Sequence, residues 1–72
     1  MFSNAEVITM QLSGVYDAAT GKAAAQALRQ VDGVRAVSVD SRNAVAQVTF
    51  MPSKTSVDTL TAALADAGFD LQ

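Results

Sequence analysis

A chain of 72 residues, half of them hydrophobic and 17% charged, is sized for one small domain near the lower limit for folding unaided. It holds no cysteine and no histidine, which excludes disulfides, thiolate nucleophiles, Ser-His-Asp triads and zinc or copper sites built on thiolate or imidazole. Five Lys and Arg against seven Asp and Glu give a net charge of -2 and no basic stripe for a phosphate backbone, so nucleic acid is not an expected partner.

No apolar run approaches the roughly 20 residues needed to span a bilayer, and residues 1–6 lack the basic and long apolar regions of a signal peptide. Membrane insertion is therefore not expected. The expected compartment is the cytoplasm, with which the absence of cysteine agrees.

Val7 to Leu12 alternates, with Ile8, Met10 and Leu12 on one face and Val7, Thr9 and Gln11 on the other, the period of a half-buried strand that Ser13-Gly14 ends. From Ala18 to Val31, Ala24, Ala27, Leu28 and Val31 recur at helical spacing among strong helix formers, and Asp32-Gly33 is the expected stop. Val34 to Asp40 and Ala44 to Phe50 are two β-branched runs joined by Ser41-Arg42-Asn43, an antiparallel hairpin in which Asn43 suits a positive φ. Val37, Val39, Ala46, Val48 and Phe50 form its inner face, with Arg35, Ser38, Gln47 and Thr49 in water. Pro52-Ser53-Lys54 breaks the chain before a second helix capped by Thr55 or Ser56, with Val57, Leu60, Leu64 and Ala67 on one stripe. Gly68 ends that helix, and Phe69 to Gln72 make a last short strand with Phe69 and Leu71 on one side.

The order strand, helix, strand, strand, helix, strand defines an α+β, ferredoxin-like βαββαβ sandwich. Two helices cover one face of a four-stranded antiparallel sheet, in a single domain of residues 1–72.

The combination Gly14-Val15-Tyr16-Asp17-Ala18-Ala19-Thr20, a helix with Ala27-Leu28, then Asp32-Gly33-Val34, Val37-Ser38-Val39-Asp40, Ala46 to Pro52 and Ala67-Gly68-Phe69 resembles the heavy-metal-associated (HMA) domain family. The likeness runs from Ile8 to Leu71. Copper chaperones, mercury-binding proteins and the N-terminal modules of metal-transport P-type ATPases belong to that family. Its first loop reads Gly-Met-Thr-Cys-x-x-Cys, and the two thiolates hold Cu(I), Zn(II) or Hg(II) at the start of the first helix. In this chain Asp17 stands at the first cysteine position, Thr20 at the second, and Val15 where the methionine beneath the loop is usual. The resemblance thus implies a scaffold whose metal ligands are lost, with no tightly bound metal or other cofactor expected. A loss in nature and a removal by design would look alike.

The altered loop has competing readings. Asp17 and the Thr20 hydroxyl could form a weak hard-cation site, but one carboxylate is poor support for ions that take several oxygens. Asp17 is equally a strong helix N-cap, its carboxylate accepting the N–H of Ala19 or Thr20, and this reading is favoured. The thioethers of Met1, Met10 and Met51 are dispersed in sequence, and Met10 points to the core.

A docking surface is expected around Val15, Tyr16, Lys22 and Phe69. Tyr16 is an exposed aromatic on the loop tip, Lys22 lies on the first helix, and Phe69 reads either as part of this surface or as a core residue. By resemblance the partner is a metal-transport ATPase or a related HMA domain, and the protein is a monomer or weak dimer. Gly21, early in the helix, suits a close backbone approach.

Catalysis is not expected, since no two carboxylates converge by spacing and Ser13 to Thr20 lacks the arginine of acylphosphatase-like enzymes on this fold. A ferredoxin-like small-molecule sensing domain is the alternative of a different class. A ligand carboxylate could approach the first helix beside Gly14, but Asp17 there would repel it.

Overall fold

The structure is a computed structural model and describes residues 5–71, without the side chains of residues 70 and 71. The thioether of Met1, the side chain of Leu71 and Gln72 lie outside the described residues. The elements are β1 (Glu6–Ser13), α1 (Ala18–Arg29), β2 (Val34–Asp40), β3 (Val45–Phe50), α2 (Val57–Asp66) and the two-residue β4 (Asp70–Leu71). Strands β2, β3 and β1 form an antiparallel sheet in that spatial order. β4 extends it beside β1, where Leu12 faces Leu71 and Ser13 faces Asp70. Two helices on an antiparallel sheet of at least three strands agree with the sequence reading, and the last expected strand is here a short bridge.

The core is the product of the two periodicities. Met10 and Leu12 of β1, Ala46, Val48 and Phe50 of β3 and Val37 of β2 meet Ala24, Ala25 and Leu28 of α1 and Leu60 and Leu64 of α2 in one cluster closed by Val15 and Phe69. Leu12, Leu28, Leu60, Leu64, Ala24, Ala46 and Val48 have no solvent exposure. Truncating a leucine in such a position costs about 2–5 kcal/mol, a large part of what a domain this small can hold. On the opposite face of β1, Val7, Thr9 and Gln11 are exposed, as the alternation requires.

Two helix-end expectations need correction. α1 stops at Arg29 with Gln30 as its cap, short of Val31. Gly33, at φ +100°, lies in the turn beyond, where its carbonyl accepts the Met51 N–H at 2.8 Å and a Cβ would come within 2.7 Å of Lys54 Cβ. On α2, Leu60 and Leu64 are buried, but Val57 is 44% exposed and Ala67 is exposed, because the first and last turns extend past the core. Ser56, rather than Thr55, is its N-cap. Its C-terminus closes as a Schellman motif: the Phe69 N–H donates to the Leu64 carbonyl at 2.8 Å, the Gly68 N–H donates to that of Ala65 at 3.0 Å, and Gly68 takes φ +94°.

The hairpin turn differs as well. The positive φ falls on Ala44, at +55°, and not on Asn43. Asp40 organises the turn, its Oδ1 accepting the N–H of Arg42 and Asn43 while Asn43 Nδ2 donates to its Oδ2 at 2.8 Å. With Asn43 held this way, Ala44 makes the reversal, and its carbonyl accepts the Leu12 N–H at 2.7 Å.

Candidate functional site

The loop between β1 and α1 begins at Gly14, whose φ of +91° turns the chain beneath Phe69. The Phe69 ring would lie 3.4 Å from a Cβ at this position. Val15 then enters the core, Tyr16 projects outward with 80% exposure, and Asp17 in extended conformation opens the helix.

Asp17 and Thr20 form a reciprocal capping box. The Thr20 N–H donates to Asp17 Oδ1 at 2.9 Å, and Thr20 Oγ1 accepts the N–H of Asp17 at 3.1 Å and of Tyr16 at 2.9 Å. The Thr20 hydroxyl has one proton to give, and both Asp17 Oδ1, at 2.9 Å, and the Asp17 carbonyl, at 3.1 Å, are within reach. Two accepted bonds and one donated bond use the full capacity of a hydroxyl. The Thr20 N–H and hydroxyl, in that order, hold the Asp17 carboxyl below its ordinary pKa, with a smaller contribution from the Ala19 N–H.

This donor set does not fit a soft metal. It offers no thiolate or imidazole, Thr20 Oγ1 has no lone pair to spare, and Asp17 Oδ1 is occupied by the helix. A hard cation would find little more, since Ca²⁺ takes about six to eight oxygens. Among the described residues no three His, Cys, Asp or Glu side chains come together as a metal group.

The expected docking residues separate into two pairs. Val15 and Phe69 are each only 7% exposed, so the core reading of Phe69 holds and both support the loop from below. Tyr16, in the loop, and Lys22, in the second turn of α1, are exposed. Gly21 is explained by the close approach expected of it: a Cβ there would lie 3.1 Å from Ser41 Cβ and 3.4 Å from Val39 Cγ1, so α1 lies tight against β2. Arg29 is exposed on α1, yet its Nη2 donates to the Val37 carbonyl at 3.3 Å. Its place seven residues after Lys22, on a helix with no acidic residue, was the available signal.

A ferredoxin-like module, two helices on an antiparallel sheet, is the class that the fold defines. No protein-family model matches the chain. The mercuric transport protein periplasmic component of Pseudomonas aeruginosa is 38% identical over 64 residues, covering 89% of this chain and 70% of that protein. Among solved structures, oxidized MerP from Ralstonia metallidurans CH34 superposes with a TM-score of 0.90 at 35% identity, over 94% of each chain. A copper-binding domain from HMA7, a P-type ATPase, superposes with a TM-score of 0.88 at 29% identity, over 92% of this chain and 89% of that one. The chain belongs to the heavy-metal-associated domain family. No helix among the described residues is long and apolar enough to cross a membrane.

Proposed function

We propose that this is a non-enzymatic heavy-metal-associated-type module whose thiolate metal site has been lost and which acts through protein–protein contact or regulation. The observation that carries the reading is the capping box. At both positions where the family has cysteine, the side chains here are bonded to the helix and to each other. A metal bound by two thiolates organises the start of α1 in the family; here Asp17 and Thr20 do so without metal. The free end of the loop, Tyr16 with Lys22, is the contact surface, and a metal-transport ATPase or a related HMA domain is the kind of partner it suits. The chain acts as a monomer or weak dimer. The cytoplasm is the proposed compartment, tested by cell fractionation against the periplasmic placement in the relative's name.

A titration of the isotope-labelled chain with the soluble metal-binding domain of a copper-transport ATPase, followed by amide chemical shifts, tests the contact role. The expected result is a set of shifts centred on Tyr16 and Lys22 that is the same with and without Cu(I). Shifts that appear only when Cu(I) is present would make this a metal-transfer partner and overturn the reading.

A further inference from the structure

We propose that the groove between α1 and the free edge of β2 takes an acidic segment of a partner polypeptide, laid extended along β2 with its carboxylates on Lys22 and Arg29. The inference deepens the contact role proposed above and rests on it.

The groove has a volume of about 450 Å³, and its walls carry Lys22, Arg29, Ser38 and Ser41 but no Asp or Glu. α1 contains no acidic residue at all, so in a chain of net charge -2 the groove concentrates positive charge against the average. Its α1 wall is otherwise Ala18, Gly21 and Ala25, small residues that carry no opposing charge.

β2 ends the sheet, paired on one side with β3. The bond from Arg29 Nη2 shows that the Val37 carbonyl points away from β3. In an antiparallel pair the N–H and C=O of one residue point the same way and the direction repeats every second residue, so Val39, opposite Ala46 with no bulge between, also turns its polar groups outward. Such a row is a template for an added strand.

Arg29 uses one of its five N–H donors on Val37, which fixes the guanidinium at the groove and leaves others for a carboxylate. Lys22 and Arg29 stand about 10 Å apart along the helix axis. Carboxylates on one side of an extended strand recur at about 7 and 13 Å, for positions two and four apart, a spacing that two long cationic side chains can meet.

Amide chemical shifts and hydrogen exchange of the labelled chain, with a soluble peptide of alternating Glu and Thr as the probe, test this. The expected result is shifts at Val37, Ser38 and Val39 and along Lys22 to Arg29, together with slowed exchange at the Val37 and Val39 amides. Lys22→Glu and Arg29→Glu should each weaken binding by roughly tenfold or more. Equal binding of an alternating Lys and Thr peptide, or shifts without slowed exchange at Val37 and Val39, would overturn the proposal. No response to the acidic peptide, with the ATPase domain still shifting Tyr16, would overturn the groove and leave the contact role standing. No response to either would remove both.

Discussion

Asp17 and Thr20 satisfy each other: the Thr20 N–H reaches Asp17 Oδ1 at 2.9 Å, and the Asp17 N–H reaches Thr20 Oγ1 at 3.1 Å. The start of a helix has four N–H groups without an intrahelical partner, and this pair supplies oxygens for two of them, those of Asp17 and Thr20. In the proposed reading, the start of the helix and the lost site are one arrangement.

Removing the cap should cost stability without changing the fold. Asp17→Ala leaves the Thr20 N–H without its acceptor and takes a negative charge from the positive end of α1. The thermal midpoint should fall by about 5 °C for a domain of this size. Thermal unfolding followed by circular dichroism measures it, and an unchanged midpoint would exclude the capping role.

The same residue gives the acid limb of stability a defined sign. The native state lowers the Asp17 pKa through its bonds to Thr20, and that of Asp40 through bonds from the Asn43 side chain and backbone, with a smaller contribution from Arg42. A carboxyl whose folded pKa is depressed stabilises above its unfolded value, near 4, and loses that contribution as pH falls through the folded value. Stability should thus decline below about pH 4. Asp17→Asn keeps an acceptor for the Thr20 N–H but cannot titrate, so its acid decline should be shallower, read from denaturant midpoints at pH 2.5 to 6.

Ala44 holds a left-handed conformation that costs a side-chain-bearing residue about 1–2 kcal/mol. Ala44→Gly removes that cost but loses a half-buried methyl and gains unfolded-state entropy. The net expectation is a gain of roughly 0.5–1 kcal/mol in chemical denaturation. A loss would show that the methyl contributes more than the strain.

Thr55 is 8% exposed, and its hydroxyl is buried with no hydrogen-bond partner among the described residues. A buried unpaired hydroxyl costs about 1–3 kcal/mol, and Val has nearly the same shape. Thr55→Val should raise stability by about 1 kcal/mol, measured by the same denaturation.

Much of this was legible in the chain. The alternation of β1, the spacing of Leu60 and Leu64 and the glycines at 14 and 68 act locally, and each occupies the place its chemistry suggests. Asp17 as a cap was legible for the same reason. What was missed depended on distant partners. Asn43 lost the positive φ to Ala44 because Asp40 captured its amide, and Val57 and Ala67 were placed on a buried stripe because the periodicity says nothing about how far the sheet reaches. The bond from Arg29 to the Val37 carbonyl likewise exists only because the fold sets the two side by side. Val15 was placed on the docking surface and Phe69 either there or in the core; both are buried, the Phe69 ring against Gly14.

The most direct measurement is a Cu(I) and Zn(II) competition titration of the unaltered chain beside its Asp17→Cys, Thr20→Cys double variant. The unaltered chain should show no tight stoichiometric site for either ion, while the double variant, folded, should bind one equivalent through its two thiolates. Tight binding by the unaltered chain, or a folded double variant that binds nothing, would contradict the assignment of Asp17 and Thr20 to the lost ligand positions.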